Sequence, residues 1–305
     1  MRARLTDLVK LTFSPGLTRQ VQAVAVILLV GLFVLAVQQL MRTRAVLLGD
    51  TEAQLSRLAM VFAEQTGRAL ESVNLLLQAA AADYRRTPSL AGATPVDPAL
   101  VRRMEMVRQT TRMGVVVRFG KFVLTSFPAS VRALIRQAVE HPVSGLRISG
   151  PFRTPDGVWT AAMIRPAPAD DSIDDAAAVA LLNLGYFENF YQAVELTENG
   201  AILLHLRNGT VLARYPHQSE IIGRSYAALP PFRDILNKGW TAGTLITQSP
   251  LDGRPRVLAI RALKAFPLAV NASVGEREVM GLWRQQAIAF GAFCAGIALV
   301  ATGLL

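Results

Sequence analysis

Residues 201–215 read AILLHLRNGTVLARY, and two apolar, β-forming runs in this stretch flank the pair Asn208-Gly209. Both residues of an Asn-Gly pair accept positive φ angles, which makes this pair between two apolar runs the strongest short-range hairpin signal. We therefore predict strands over 201–206 and 210–215, joined by a tight turn.

The residues on either side of this hairpin complete one module. A connecting helix is predicted over 186–196 before the hairpin, and a second helix over 229–237 after it. Three further strands are predicted at apolar runs bounded by turn residues, at 243–248, 254–263 and 268–274. The module therefore contains two strands, a helix and three strands.

The same order of elements occurs once more towards the N-terminus. A predicted helix at 101–112 is followed by two β-rich runs around Gly120, a helix and three extended runs. The predicted strands are 113–119, 121–126, 144–150, 157–164 and 176–184, and the helix is 131–139. A repeated order with little identity predicts two related α+β modules with antiparallel sheets, over 87–185 and 186–284.

The segment 42–86 is predicted to form one long stalk helix. It contains no proline and is rich in Ala, Leu, Glu, Gln and Arg. At about 1.5 Å per residue the helix would extend roughly 65 Å, which is longer than one small domain covers. Gly49-Asp50-Thr51 marks a predicted break near its start.

An apolar stripe runs along this helix. Its members recur at helical spacings and are Leu55, Leu58, Phe62, Ala69, Val73 and Leu76. The spacing suits a parallel pair of helices, so we predict a homodimer through the stalk helices. The alternative is that the stripe packs on the two modules of its own chain.

Both ends of the chain contain a membrane-length stretch without charge, at 21–40 and 285–305. Twenty helical residues reach about 30 Å, the thickness of the hydrocarbon core of a bilayer. The first stretch follows a basic tail, residues 1–20, and excess basic charge stays in the cytoplasm. We predict two transmembrane helices, over 21–41 and 285–305, with residues 42–284 outside the cytoplasm. A cleaved signal peptide is the alternative for the first stretch, although its apolar core is normally shorter.

The composition excludes several classes of protein. Charged residues make up 18% of the 305 residues and hydrophobic residues 51%, which excludes a disordered chain and argues against a soluble single-domain enzyme. One cysteine and three scattered histidines predict no metal site and no cofactor. The sequence has no phosphate loop, nucleophile elbow or paired-carboxylate spacing, so no enzyme activity is expected. The net charge of +10 is dispersed, which argues against nucleic acid as a partner but favours a small anionic ligand or lipid headgroups.

Several segments resemble the double-Cache sensor region, a tandem of PAS-like domains found outside the cytoplasm in bacterial histidine kinases and diguanylate cyclases. The segments are RALESVNLLL (68–77), GYFENFY (185–191), RNGTVLARYP (207–216), IGRS (222–225), SPLDGRPR (249–256) and PLAV (267–270). The resemblance implies two PAS-like modules in the periplasm, anchored in the bacterial inner membrane. It also implies that ligand binding shifts paired stalk helices and so biases a cytoplasmic output domain, a histidine kinase or diguanylate cyclase, which we expect beyond Leu305.

The sequence also departs from this family. The Asp-Arg-x-Tyr-Phe-like segment of many members is absent from residues 128–139, and the Arg-x-Trp-Tyr pattern of amino-acid-binding members is absent as well. An amino-acid receptor is therefore not expected, and the distal pocket is expected to have a different or lost specificity.

In a PAS-like domain we expect the ligand between the sheet and the helix that crosses it. The polar and aromatic residues expected there in the first, membrane-distal module are Arg147, Trp159, Met163, Arg165 and Tyr186. A guanidinium suits a carboxylate or phosphate, which favours Arg165; the alternative for its side chain is a salt bridge in the acidic loop 170–174. The parallel set in the second, membrane-proximal module is Arg214, Tyr215, Arg233, Ser249 and Arg261.

The sequence therefore predicts a membrane-anchored sensor module that binds a small ligand and transmits a signal to a cytoplasmic output domain. Two alternatives come from other classes of protein. One is a structural or interaction module that docks a periplasmic partner protein without a small ligand, and the other is an extracytoplasmic hydrolase.

Overall fold

The computed structural model of the chain describes residues 15–86, 110–117, 127–141, 145–167, 176–194 and 199–303. The chain divides into two compact units. Thr51–Glu278 forms one unit, which holds both sheets, and Met1–Asp50 together with Val279–Leu305 forms the other.

The first element, α1, is a single helix of 72 residues, Pro15–Arg86. The predicted break at Gly49-Asp50-Thr51 is wrong, since the helix continues through these residues. A glycine inside a helix costs only about 1 kcal/mol relative to alanine, and the good helix formers on both sides of Gly49 outweigh that cost.

The apolar stripe on α1 is largely buried within the unit that holds the sheets. Leu55, Phe62 and Val73 are almost completely buried there, and the other three members of the stripe are half-buried. The prediction that this stripe is free for a partner helix is therefore wrong for these three residues. These residues pack instead on the sheet-containing unit of their own chain, which is the alternative stated in the sequence analysis.

The first sheet has five antiparallel strands. They are β1 (Thr110–Val117), β2 (Arg147–Ile148), β3 (Phe152–Arg153), β4 (Trp159–Ala167) and β5 (Ala176–Asn183). The order is β1-β5-β4-β2, and β3 also pairs with β4. Helix α2 (Ala129–Glu140) covers one face, where Val131 and Ile135 pack in a cluster with Ile164 and Val179.

Most boundaries in the first module were predicted within a few residues. The strand predicted from residue 113 begins at Thr110, so the predicted helix 101–112 ends too late. The two-residue strand β3 was not predicted. Residues 101–109 and the strand predicted at 121–126 lie outside the described residues.

The second sheet follows the short helix α3 (Leu184–Gln192) and also has five antiparallel strands. They are β6 (Ala201–Leu206), β7 (Val211–Tyr215), β8 (Ala242–Gln248), β9 (Pro255–Ala262) and β10 (Leu268–Gly275). Their order is β7-β6-β10-β9-β8, so the first and last strands are neighbours, as β1 and β5 are in the first sheet. The predicted α+β class with antiparallel sheets and a long N-terminal helix is confirmed.

A short helical segment, residues 231–238, connects β7 to β8. It consists of a wide π-helical turn, Pro231–Ile235, and a 3-10 turn, Leu236–Lys238. The segment lies against the second sheet, because Phe232 and Ile235 belong to one buried cluster with residues of β9.

Helix α4 (Glu276–Val279) ends the sheet-containing unit, and the other unit contains the N-terminal part of α1 and the C-terminal helix α5 (Gly281–Gly303). The rings of Phe33 and Phe290 stack with centroids 5.9 Å apart. The indole Nε1 of Trp283 donates a hydrogen bond of 2.7 Å to the carbonyl oxygen of Leu40. The two terminal helices therefore contact each other.

Within the described residues, one helix is long and apolar enough to cross a membrane. It lies in α1 from Val26 onward, and its most apolar window is wholly exposed. An exposed apolar helix of this length is what a lipid environment would cover.

Candidate functional site

The second sheet is covered on both of its faces. On one face, Leu258 and Ile260 of β9 pack against Phe232 of the segment 231–238. On the other face, the hydroxyl of Thr244 donates a hydrogen bond of 3.2 Å to Glu52 of α1. Since successive residues of a strand point to opposite faces, alternate residues of each strand are sorted between these two environments.

A cavity of about 80 Å³ lies between the sheet, the segment 231–238 and the turn that joins β8 to β9. Its walls are largely apolar and include Leu203, Leu251 and Leu258. Its polar residues include His205 on β6, Arg214 on β7, Thr247 and Gln248 on β8, Ser249 in the turn, Arg256 on β9, and Asn271 and Ser273 on β10. The cavity is therefore amphipathic, with polar residues contributed by all five strands and a turn.

Three polar atoms at this cavity are buried without a hydrogen-bond partner. They are Nδ1 of His205, Nε of Arg214 and Oδ1 of Asn271. A buried donor or acceptor that stays unpaired costs roughly 1–3 kcal/mol. Buried polar groups are otherwise nearly always satisfied, so three such atoms on residues of one cavity make it a place that can hold a polar molecule.

The cross-strand register explains why these side chains meet. Leu203 of β6 lies opposite Arg214 of β7 and also opposite Asn271 of β10. Residues directly opposite one another point to the same face, so all three project towards the cavity. The pairing of β6 with β7 is irregular between Leu204 and His205. Because of this irregularity, His205 lies opposite Val211.

His205 and Asn271 form a buried polar pair, with 3.0 Å between Nε2 and Nδ2. Burial lowers the pKa of His205 to about 4, although the hydrogen bond to Asn271 and the nearby Gly209 backbone oppose the shift. No hydrogen bond of normal geometry forms between the ring and Gly209. The imidazole is therefore neutral at neutral pH and contributes a polar but uncharged surface to the cavity.

Two arginines supply positive charge to the same cavity. Arg214 is 8% exposed, and its Nη1 donates to the carbonyl oxygen of Pro216. Burial, and then the charge of Arg256, lower the pKa of Arg214. Burial also lowers the pKa of Arg256, which donates to the hydroxyl of Ser273 at 3.3 Å. Arginine remains charged in proteins even so, and the two side chains therefore set a positive potential in a partly dry site.

In the first module the predicted site residues are divided between two faces of the sheet. Arg147 pairs with Ile164, which packs on α2, so Arg147 is on the expected face. Met163 and Arg165 alternate with Ile164 and point away from α2, so their predicted placement is wrong. Arg165 instead donates a hydrogen bond of 2.8 Å to Asn74 of α1.

Trp159 also lies away from the α2 face, so its predicted placement is wrong as well. Trp159 lies on the same face as Met163 by alternation, beneath the guanidinium of Arg153, with 4.7 Å from the Arg153 carbon Cζ to the ring centroid. Tyr186 lies on α3 and packs edge-to-face on Phe187. The loop 170–174, predicted as the alternative partner of Arg165, lies outside the described residues.

In the second module the structure brings Arg214 and Ser249 to the cavity and excludes three predicted residues from it. Tyr215 and Arg261 point to the opposite face by strand alternation. Arg233 is exposed and forms an ion pair of 2.8 Å with the adjacent Asp234. Their placement between sheet and crossing helix was therefore predicted wrongly.

A second, more open cleft lies on the α1 side of this sheet and measures about 320 Å³. Arg261 lines it together with Arg68, Lys264, Glu64 and Glu71. Its charges are mixed, and Glu71 accepts a hydrogen bond from Asn74. The cleft therefore offers less selection by charge than the cavity does.

Of the residues that line the cavity, the sequence analysis named only Arg214 and Ser249; the polar residues that it missed include His205, Arg256, Asn271 and Ser273. A signal for two of them exists, since His205 and Asn271 are polar residues within otherwise apolar strands. In the described parts of the chain, no three His, Cys, Asp or Glu residues are grouped so as to hold a metal ion. The arrangement is suited to binding a small molecule.

Comparisons with known proteins identify one matching family model and several similar folds. Residues 184–273 match the family model of the dCache_1-like histidine kinase sensor domain, and this range includes every residue that lines the cavity. The fold is similar to that of the extracellular domain assigned to the histidine kinase rpHK1S-Z16, with a TM-score of 0.64 and 23% identity over 76% of this chain and 98% of that one.

Two chemoreceptor domains are similar as well. One is the ligand-binding domain of the Pseudomonas aeruginosa amino acid chemoreceptor PctB in complex with L-Arg, with a TM-score of 0.57 and 16% identity over 75% of this chain and 97% of that one. The other is that of the Pseudomonas fluorescens chemoreceptor CtaA with L-isoleucine, with a TM-score of 0.55 and 17% identity over 79% and 98%. No curated protein matches the chain. The predicted resemblance to Cache sensor domains is confirmed.

Proposed function

We propose that this chain is a membrane-anchored extracytoplasmic sensor module that binds a small ligand in the cavity of its second sheet. The observation that carries the proposal is the group of three unpartnered, buried polar atoms at one cavity. The family match over 184–273 supports a sensory role for this part of the chain. The chemoreceptor domains named above, which share the fold, are described with small ligands.

The proposal includes two Cache modules and two membrane passes. Two five-stranded antiparallel sheets of related strand order support the tandem. The 23-residue helix α5 and its contacts with α1, Phe33–Phe290 and Trp283–Leu40, support a second membrane helix beside the first. Trp283 suits the membrane interface, where indole rings are enriched.

A signal would pass through α1 to a cytoplasmic output domain, a histidine kinase or a diguanylate cyclase. Glu52, Thr66 and Asn74 of α1 accept or share hydrogen bonds with residues of both modules. A ligand that shifts the second sheet would therefore bias the position of α1, in the manner of a two-state helix displacement.

Homodimerisation through α1 stays a prediction and would use a different face of the helix from the stripe named in the sequence analysis. The exposed apolar residues of α1 in the sheet-containing unit include Met60, Val61 and Leu75. Ligand contact by Arg147 and Tyr186 of the first module also stays a prediction.

The test is a thermal-shift screen of the full chain in lipid nanodiscs with a panel of carboxylates, amines, sugars and nucleotides. A ligand at a hundredfold excess over its Kd stabilises by about 2.7 kcal/mol. The variant Ala201→Leu fills the cavity and should abolish the shift, whereas Ala242→Leu, at a half-exposed position outside the cavity, should retain it. If no member of the panel shifts the melting temperature, the alternative of a module that docks a partner protein is favoured.

A further inference from the structure

The unpaired polar atoms at the cavity include both a donor and an acceptor, and this constrains the chemical class of the ligand. The inference rests on the proposed function, which is that the cavity binds a small ligand. Nε of Arg214 carries a hydrogen and needs an acceptor, while Oδ1 of Asn271 needs a donor. Their strands flank β6, so the two backbones lie about 10 Å apart across Leu203. A ligand that satisfies both needs an acceptor at one end and a donor at the other.

The positive charge at the Arg214 end is offset by acidic side chains that do not pair with it directly: the charges of Asp252 and Glu188 favour the charged form of Arg214, and those of Asp252 and Glu278 favour the charged form of Arg256. Within the described residues, no carboxylate forms an ion pair with Arg214 or Arg256. One of these acidic side chains, Glu188, accepts hydrogen bonds from the backbone nitrogen of Arg214 and from His217. The acceptor that Arg214 requires is therefore best supplied as an anion, and a planar carboxylate suits a guanidinium.

The donor at the Asn271 end is constrained by the same charges. An ammonium group could donate to Oδ1, but it would enter a partly dry cavity that already holds two guanidinium groups. Like charges in such surroundings repel strongly. A neutral hydroxyl donates without this cost, and the neutral ring of His205 beside Asn271 adds a further polar contact.

The size of the cavity restricts the ligand to a few non-hydrogen atoms. Its 80 Å³ is well below the roughly 300–1,000 Å³ of pockets for drug-sized ligands. The apolar walls formed by Leu203, Phe232 and Leu258 suit a short hydrocarbon segment between the two polar ends. A dicarboxylate would place its second charge against these walls or against Asn271.

We propose that the cavity of the second sheet selects a small monocarboxylate that carries a hydroxyl group. The carboxylate lies at Arg214, with Arg256 contributing to the potential, and the hydroxyl donates to Asn271. Free amino acids are disfavoured by the charge of their ammonium group.

The test is isothermal titration of the full chain in nanodiscs with four probes of similar size: lactate, propionate, lactamide and alanine. Lactate should bind most tightly. Lactamide, which lacks the charge, and alanine, which exchanges the hydroxyl for an ammonium, should each bind at least tenfold more weakly. Propionate, which lacks the hydroxyl, should bind several-fold more weakly. Equal binding of lactamide and lactate, or tighter binding of alanine or inorganic phosphate, would overturn the proposal.

Variants locate the two ends of the ligand. Arg214→Gln should weaken lactate at least tenfold, and Asn271→Ala should remove the preference for lactate over propionate. Arg233→Gln removes an exposed arginine of the same module and should change neither value. Should Arg214→Gln or Asn271→Ala fail to fold, as judged by its melting curve, the four-probe series on the wild type decides alone. If lactamide or alanine binds more tightly than lactate and the variant Ala201→Leu abolishes that binding, the sensor function stands and the hydroxy acid is rejected. If no probe and no member of the panel binds, both proposals are rejected.

Discussion

The amide nitrogen of Asn271 lies 3.0 Å from Nε2 of His205, and the two side chains are 5% and 1% exposed. They belong to the neighbouring strands β10 and β6. An amide nitrogen only donates, so Nε2 accepts and the proton of the neutral ring resides on Nδ1. The pair thus leaves a donor, Nδ1, and an acceptor, Oδ1 of Asn271, buried without a hydrogen-bond partner, on two side chains that line the cavity.

Protonation of His205 should destabilise the fold on acidification. The pKa is about 4 in the folded chain against 6.5 for an ordinary histidine, so between these pH values the unfolded chain binds more protons. Stability therefore falls as the pH falls from about 6.5 to 4, by up to about 3 kcal/mol. Denaturant unfolding of the full chain at pH 7, 5.5 and 4 measures this loss.

The variant His205→Gln isolates this contribution, because glutamine keeps a polar side chain but does not titrate. It should flatten the loss of stability below pH 6.5, whereas His141→Gln, at an exposed position, should not. An unchanged pH profile in His205→Gln would show that His205 is not the group responsible.

The hydroxyls of Thr66 and Tyr191 lie 3.1 Å apart at a buried position that joins α1 to α3. Tyr191→Phe should destabilise the chain by about 1–3 kcal/mol, because it leaves the Thr66 hydroxyl buried and unpaired. The double variant Thr66→Val with Tyr191→Phe should recover much of this loss, since both polar groups are then removed. A double-mutant cycle by denaturant unfolding gives the coupling, and purely additive effects would contradict a direct interaction.

Gly209 is required by the hairpin turn on which the second module is built. Its φ is +83°, and a Cβ there would lie 2.4 Å from the backbone nitrogen of Ala227. Gly253 has a similar φ of +66° but open space around the position of a Cβ. Gly209→Ala should therefore lower the melting temperature well beyond the strain of about 1 kcal/mol expected for Gly253→Ala. Equal effects would show that the backbone contact at Gly209 is relieved without cost.

The proposed two-pass topology is tested through the contacts of the terminal helices. With Cys294 replaced by serine, the pair Phe33→Cys and Phe290→Cys should crosslink in membranes with a short bifunctional reagent, because the two rings are stacked in the structure. Reporter fusions at Asn208 should be active only outside the cytoplasm. A reporter active in the cytoplasm alone would contradict the two-pass arrangement.

Much of the second module was predictable from local sequence. The strand 201–206 was predicted with its observed bounds, because the Asn-Gly turn and the apolar runs specify the hairpin without help from distant residues. The helix 131–139 was found for a similar reason, since its apolar positions recur at helical spacing and are buried in the structure.

The assignment of residues to faces was not predictable in the same way. Strands such as β9 are buried on both sides, so the pattern does not alternate between apolar and polar residues. Arg261 and Arg256 are then equally plausible cavity residues from the sequence alone. Only the register of β9 against β10 places Arg256 at the cavity. The pairing of Leu203 with both Arg214 and Asn271 depends on contacts between distant segments, which no local pattern encodes.

A crystal structure of the full chain grown with the tightest-binding acid of the titration series tests the central claim most directly. The account predicts ligand density between the second sheet and the segment 231–238, with a carboxylate within hydrogen-bond distance of Arg214 and a polar group at Asn271. Ligand density in the first module, between its sheet and α2, with the cavity of the second sheet unchanged, would contradict it.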